Sequence, residues 1–257
     1  QTIPSTFPMT SPAHVSHAEA AISAYRQAAL QRPQGGLAYI LFTSGSTGNP
    51  KGCVVNHQSV IVQTRGFGEI LGTRVGSRIL GLSTFSFDIS VLETYLSLIH
   101  GATMVLAFSP TQRDAFHLMD IVTDMQIDVM QATPTTYEML MAAGYLGGSN
   151  IQLLIGGEAF RPTLFPLVAS CKAVLNVYGP TETCIWSTVY VIPKTYATTH
   201  KDSKGVSVGV PLPYVKLYLA KREDYTQRVD NIRNVDNEGN AIEPEGELII
   251  GGIGANG

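Results

Sequence analysis

Apolar and polar positions change their period repeatedly along this chain, and each change marks an element. Leu37-Ala38-Tyr39-Ile40-Leu41-Phe42 and Cys53-Val54-Val55 are short apolar runs that read as strands. Asn56 then caps a helical pattern running to about Leu71. Arg78–Leu82 predicts a strand, Asp88–Ile99 a helix, Ala102–Ala107 a strand, Gln112–Met125 a helix and Val129–Ala132 a strand. Pro134–Ala143 predicts a helix, Ile151–Ile155 a strand, Pro162–Cys171 a helix and Ala173–Val177 a strand. Such alternation argues for an α/β fold, a parallel sheet covered by helices. Upstream, residues 1–13 carry three prolines and read as an extended arm. Ser16–Gln31 is alanine-rich and helical, with Ser16 as N-cap and Glu19 completing a capping box.

The pattern changes after about residue 186. Ser187–Ile192, Tyr214–Leu219 and Glu247–Ile250 read as strands with no long helix between them. Twelve of the chain's 37 charged residues lie between Lys221 and Glu247, around the turn signal Asn237-Glu238-Gly239-Asn240. The expected organisation is an arm and helix over 1–36, an α/β core over 37–186, and an incomplete β-rich, barrel-like subdomain over 187–257.

Composition narrows the function classes. Apolar residues make up 44% of the 257 positions, enough for a sizeable core. Charged residues are only 14%, against roughly 25% in an average soluble protein. That scarcity fits a chain whose surface is partly interface. The net charge is −3 and no basic block occurs, so nucleic acid and anionic membranes are not expected partners. Cys53, Cys171 and Cys184 have no metal spacing and are odd in number, which points to a reducing, cytoplasmic setting. Gln1-Thr2-Ile3-Pro4-Ser5 does not open a signal peptide. The apolar stretch Ile89–Phe108 is broken by Glu93, His100 and Gly101, so it is not read as a membrane span.

The chemistry concentrates in Thr43-Ser44-Gly45-Ser46-Thr47-Gly48-Asn49-Pro50-Lys51-Gly52. Glycines let backbone N–H groups approach an anion, hydroxyls add donors, and Lys51 adds a mobile positive charge. This is the equipment of a loop that grips a triphosphate. It differs from the Walker loop, where Gly-Lys-Ser/Thr opens a helix. Here Pro50 precedes the lysine, Gly52 follows it, and a strand comes next.

Tyr39 through Gly52 resembles the signature loop of the adenylate-forming superfamily, in particular the adenylation domains of nonribosomal peptide synthetases. Phe87-Asp88-Ile89-Ser90 resembles that family's Phe-Asp-x-Ser, and Asn176-Val177-Tyr178-Gly179-Pro180-Thr181-Glu182 its Asn-x-Tyr-Gly-Pro-Thr-Glu. Gly246-Glu247-Leu248-Ile249-Ile250-Gly251-Gly252 resembles the start of a later motif. Four matches in order cover residues 37–252.

The resemblance implies roles residue by residue. Thr43, Ser44, Gly45, Ser46, Thr47, Gly48 and Lys51 would hold the phosphates of ATP. Gly157, Glu158 and Ala159 resemble the adenine-proximal segment, Asn176 the adenine-amide contact, and Tyr178 with Gly179 the wall against the ring. Thr181 would donate to the α-phosphate, and Glu182 would hold Mg²⁺, since a hard cation on a triphosphate needs carboxylate oxygen. Lys51, Thr181 and Glu182 are the expected catalytic groups. Phe87 and Asp88 belong to the amino-acid site, Asp88 pairing with the substrate ammonium. The pocket positions are Asp88, Ile89, Leu92, Gln131, Leu154, Gly156, Val177, Ile185 and Trp186, a set that looks like pockets selecting glycine. From local sequence alone, Asp88 is equally a helix N-cap, Glu182 a first-turn glutamate and Trp186 a core aromatic. His57 and His100 sit at helix ends without catalytic partners and are read as structural.

The same resemblance implies transfer of the activated amino acid to the phosphopantetheine thiol of a carrier domain, with condensation domains as neighbours. Siderophore biosynthesis is one such setting. In the family, an aspartate in a later Thr-Gly-Asp motif and a C-terminal lysine complete the machinery. The chain stops at Gly257, before both, so it is expected to be the middle of an adenylation domain and nearly inactive alone. Two alternatives remain at this point: an aryl- or acyl-acid ligase, which would leave Asp88 buried without a partner, and a silent nucleotide- or amino-acid-binding module.

Overall fold

Leu37–Thr43 (β1) and Lys51–Asn56 (β2) pair antiparallel, with Thr43 opposite Lys51. The phosphate loop expected at the end of a parallel strand is thus the connection of a separate hairpin. The stretch joining the two strands is too short for the crossover that parallel pairing requires. The computed structural model describes residues 36–43, 49–108, 112, 114–199, 205–221, 224–229, 234–235, 241–242 and 247–252. Backbone contacts divide the chain into Gln1–Gly36 and Leu37–Gly257, and the second unit holds every element of secondary structure among the described residues. The arm and helix expected over residues 1–31 lie outside the described residues.

The Asn56 side chain accepts from the Ser59 N–H at 2.8 Å and starts helix α1, His57–Leu71, which Gly72 ends in the left-handed conformation. Next come β3 (Arg78–Gly81), α2 (Ile89–Ile99), β4 (Thr103–Leu106), α3 (Ala115–Asp124), β5 (Val129–Ala132) and α4 (Pro134–Ala142). After them follow β6 (Gln152–Gly156), a 3₁₀ turn at Pro162–Leu164 running into α5 (Phe165–Ser170), and β7 (Ala173–Tyr178). The α/β expectation holds: β4-β3-β5-β6-β7 lie side by side and all pair parallel. The long Gln112–Met125 helix begins only at Ala115, because the Asp114 carboxylate caps the N–H groups of Phe116 and His117.

Two strands beyond residue 186 continue this sheet. Thr188–Val191 (β8) pairs antiparallel with β7, and Val210–Pro211 (β9) pairs antiparallel with β8. Tyr196–Thr199 forms a short helix, α6. The separate β-rich part follows: Val215–Lys221 (β10) lies between Asp224–Val229 (β11) and Glu247–Gly252 (β14), all antiparallel. Asn234–Val235 (β12) and Ala241–Ile242 (β13) pair with each other.

Alternation within the strands builds two cores. Leu80, Met130, Leu153 and Ile155 face a cluster with Leu118 and Val122 of α3, Tyr137 and Leu140 of α4, and Leu167 and Val168 of α5. Ile79, Val129, Leu154, Leu175 and Val177 face the other way, onto Val55 of β2, Val60, Phe67 and Leu71 of α1, and Leu92 and Leu96 of α2. His100 packs against α1. Its ring stands against Gly68, where a Cβ would meet Nε2 at 2.0 Å, and Nε2 lies 3.3 Å from the Thr64 carbonyl oxygen.

Candidate active site

The carboxyl ends of β6 and β7 open on a cavity of about 460 Å³, within the roughly 300–1,000 Å³ of cofactor-sized sites. Gly157, Glu158, Ala159, Asn176, Tyr178 and Gly179, six of the residues assigned to the nucleotide, line it. Val177, assigned to the amino-acid pocket, lines it as well. Phe160, Gly205, Val206 and Val208 complete the wall and were not legible in the motifs. The 205–208 segment is held there by Asn176, whose side-chain amide donates to the Ser207 carbonyl at 2.8 Å. Thr135 donates to the Glu158 carboxylate at 2.7 Å, and Arg161 pairs with both Glu158 and Glu138, which steadies the loop after β6. An apolar slot with a few fixed polar groups suits an adenine ring.

Asp88 does not cap α2. It has helical φ/ψ, its side chain makes no capping bond, and it is 9% exposed. Burial raises its pKa, opposed by the Thr181 hydroxyl and the Ile89 N–H and reinforced by the Glu182 carboxylate. Asp88, Thr181 and Glu182 therefore share one site, at the 3₁₀ turn Thr181–Thr183 that follows β7. The Cys53 thiol of β2 donates to the Thr181 carbonyl oxygen at 3.4 Å, tying the phosphate hairpin to that turn. Lys51 is exposed at the hairpin end, and Ser44–Gly48 lie outside the described residues. Phe87, assigned to the amino-acid site, is 64% exposed. What the residue supplies is its carbonyl, which accepts from the Ser90 N–H and hydroxyl and closes the turn beneath Asp88.

The remaining pocket positions converge. Leu92, Leu154, Val177, Ile185 and Trp186 are buried in one cluster with Ile89 packed against it. Gln131 joins them by hydrogen bonds, donating to the Ile89 carbonyl and accepting from the Trp186 indole N–H, each at 2.8 Å. At Gly156 a Cβ would meet Trp186 Cη2 at 2.6 Å, so the indole lies directly over that glycine. Cys184 and Ile185 turn the chain into the pocket at φ 63° and 69°. Positive φ at a β-branched residue is strained by roughly 1–3 kcal/mol. Gln63 of α1 offsets this, its buried amide donating to the carbonyls of Cys184 and Trp186. Burial pushes the Cys184 thiol up to about 12, so it is a packing group here and not a nucleophile.

Glu93 was not legible as part of this site. It is 2% exposed, and burial pushes its carboxyl up to about 7 despite hydrogen bonds from Ser83, Leu82 and Gln131. A folded-state pKa above the unfolded value means that the folded chain holds the proton more tightly. Stability from this group is therefore full below about pH 4.5 and falls as the pH rises to about 7, by about 3 kcal/mol. The urea midpoint is expected to drop across that window, and Glu93→Gln to flatten the drop. A slope identical in the two proteins would contradict the shift.

The residues present fit a nucleotide with Mg²⁺. The cavity has the size and the apolar lining for adenine, and Glu182 offers an exposed carboxylate one residue from Thr181. Among the described residues no group of three or more metal-type ligands occurs.

The chain belongs to the AMP-binding enzyme family, whose profile matches residues 6–255, and within the adenylate-forming superfamily it is closely related to nonribosomal peptide synthetase adenylation domains. It is 32% identical over 222 residues to tyrocidine synthase 3 of Brevibacillus parabrevis, covering 85% of this chain and 3% of that protein. It is 37% identical over 184 residues to a dimodular nonribosomal peptide synthase of Bacillus subtilis (strain 168), covering 71% and 7%. The fold superposes with TM-score 0.70 and 30% identity on the crystal structure of a four-domain nonribosomal peptide synthetase bound to AMP and glycine, over 90% of this chain and 16% of that one. The chain thus spans a small fraction of the relatives it matches. Among the described residues no helix is long and apolar enough to cross a membrane.

Proposed function

We propose that the protein carrying this chain activates an amino acid by adenylation. A carboxylate oxygen of the substrate bonds to the α-phosphorus of ATP, the bond from that phosphorus to the bridging oxygen breaks, and pyrophosphate leaves with the electron pair. The aminoacyl-adenylate then passes to the phosphopantetheine thiol of a carrier domain, releasing AMP. The observation that carries this reading is Asp88, a buried carboxylate beside Thr181 that meets no cation among the described residues. An α-ammonium supplies the missing charge. Aryl and fatty acids do not.

The residues divide the work. Lys51 and the backbone of the loop orient and neutralise the phosphates. Thr181 reaches toward both the α-phosphate and Asp88, so the two substrates meet at its hydroxyl. Tyr178, Gly179, Asn176 and the 157–159 segment hold the adenine. When Mg²⁺ is bound, Glu182 would hold it, and the ion neutralises charge on the departing pyrophosphate. Glycine is the proposed substrate. The assigned pocket positions Trp186, Gln131 and Leu92 are bulky and buried, which supports a small substrate, and the 30%-identical synthetase whose structure holds AMP also holds glycine.

Amino-acid-dependent pyrophosphate exchange by the full-length protein tests the reading. Lys51→Ala is expected to raise KM for ATP about tenfold with little change for the amino acid, and Asp88→Ala to do the reverse. Asp88→Ala with an unaltered amino-acid KM would show that Asp88 serves the fold alone. Exchange driven by benzoate or a fatty acid, and not by any amino acid, would replace the proposal with the acid-ligase alternative.

A further inference from the structure

The strand order creates a crevice between β3 and β5, because the chain leaves β3 for β4 on one side and returns to β5 on the other. Open α/β sheets bind ligands outside the carboxyl ends of such strands. Glu93 of α2 is planted at that point. Its Oε2 accepts the N–H groups of Leu82 and Ser83, the first two residues after β3, both at 3.0 Å. Its Oε1 accepts the Ser83 hydroxyl at 2.7 Å and the Gln131 amide of β5 at 3.3 Å. All four groups, from three residues, donate, so this carboxyl is held as an acceptor on every side. Glu93 and the Ile89 carbonyl together commit Gln131. Its Nε2 faces Glu93 and the Ile89 carbonyl, which leaves its Oε1 for the Trp186 indole N–H. Glu93, Gln131 and Trp186 are each no more than 3% exposed, so no water competes for these bonds.

We propose that Glu93 is a specificity-determining positioning residue: acting through Gln131, it locks the Trp186 indole across the amino-acid pocket and so excludes side chains larger than that of glycine. The proposal rests on the pocket reading given above. The consequence of replacing the carboxylate follows from donor counting. In Glu93→Gln the one remaining carbonyl oxygen must serve Leu82 and Ser83. Its new amide N–H groups then point at the Gln131 N–H. Gln131 relieves that conflict by turning, which gives up its donation to the Ile89 carbonyl, sets its own N–H against the indole N–H and breaks the bond to Trp186.

The test compares kcat/KM for glycine and alanine in pyrophosphate exchange by the full-length protein, as wild type, Glu93→Gln, Gln131→Leu and Trp186→Ala. The alanine-to-glycine ratio is expected to rise about tenfold in Glu93→Gln, with KM for ATP unchanged. In the full-length protein the Trp186 indole N–H is identified as the signal that disappears in Trp186→Ala. Exchange of that proton with D₂O is expected to quicken about tenfold in Glu93→Gln, as for any buried N–H that loses its acceptor. An unchanged ratio in Glu93→Gln, with a changed one in Gln131→Leu or Trp186→Ala, overturns the relay and leaves the pocket standing. A changed ratio with wild-type indole exchange also overturns it, because the effect then bypasses Trp186. Unchanged ratios in all three variants remove the pocket reading and the relay together. Should Glu93→Gln fail to fold, Glu93→Asp withdraws the carboxylate from Gln131 and is read by the same two measurements.

Discussion

Replacing Gly179 by alanine is expected to lower the stability of the fold by about 3 kcal/mol and to abolish pyrophosphate exchange by the full-length protein. A Cβ at this position would lie 2.5 Å from the Ile185 carbonyl oxygen, 2.6 Å from Trp186 Cα and 2.7 Å from the Ser187 nitrogen. All three are backbone atoms, so no rotamer change relieves the overlap. The backbone cannot drift away either, because the Ser187 N–H donates to the Tyr178 carbonyl at 2.7 Å and Gln63 holds the carbonyls on both sides of Ile185. Gly179 lines the cavity proposed for the nucleotide, while Ile185 and Trp186 are buried among the positions proposed for the amino acid. One methyl group therefore wedges apart the walls of two sites. The urea midpoint and the rate of pyrophosphate exchange measure this. Gly148→Ala, whose Cβ would find its nearest neighbour at 4.0 Å, is the matched control and should keep a near-wild-type midpoint. A Gly179→Ala protein with normal stability and normal exchange would mean that residues 185–187 move freely, contrary to the hydrogen bonds described.

Much of this arrangement was legible in the chain because the relevant signals are local. Strand and helix periods, the Asn56 cap and the glycine-rich loop need only a few neighbouring residues. The parallel sheet followed from their alternation. What was not legible depends on contacts between distant segments. The hairpin carrying the phosphate loop reads as two strands like any others until pairing is known. Strands β8 and β9 read as part of a later subdomain, yet they extend the edge of the main sheet. Val206 and Val208 carry no motif and become pocket residues only because Asn176 holds the segment between them. Gln63 lies on α1, more than a hundred residues from the turn it restrains. Glu93 did leave a trace, as the lone carboxylate within an apolar stretch. Its meaning appears only when β3 and β5 close around it.

Asp88 illustrates the opposite case, where local chemistry offered two readings and geometry separated them. An aspartate before Ile89-Ser90-Val91-Leu92 satisfies every local rule for a cap. The backbone instead carries Asp88 into the helical region, one residue too deep to cap, and delivers its carboxylate toward Thr181. The turn that does this is built from Phe87 and Ser90, the two flanking members of the same four-residue motif. The motif is thus a device for placing one charge.

Trp186→Ala is expected to have the largest effect on substrate choice. The indole is 2% exposed, is anchored through its N–H to Gln131, and covers Gly156. Deleting it removes the steric barrier to a substrate side chain. Alanine and serine should gain on glycine by at least about tenfold in kcat/KM, since each methylene admitted to an apolar pocket is worth roughly 1–3 kcal/mol. The fold should lose about 3–5 kcal/mol as a large buried side chain gives way to a cavity. Trp186→Phe separates the two roles of the residue. It retains most of the volume and deletes the indole N–H, leaving the Gln131 oxygen without a donor. If bulk alone sets the choice, Trp186→Phe keeps the preference for glycine. If the hydrogen bond to Gln131 sets it, the preference weakens in Trp186→Phe as well. A folded Trp186→Ala protein that still selects glycine as the wild type does would place the barrier elsewhere and reduce Trp186 to a core aromatic.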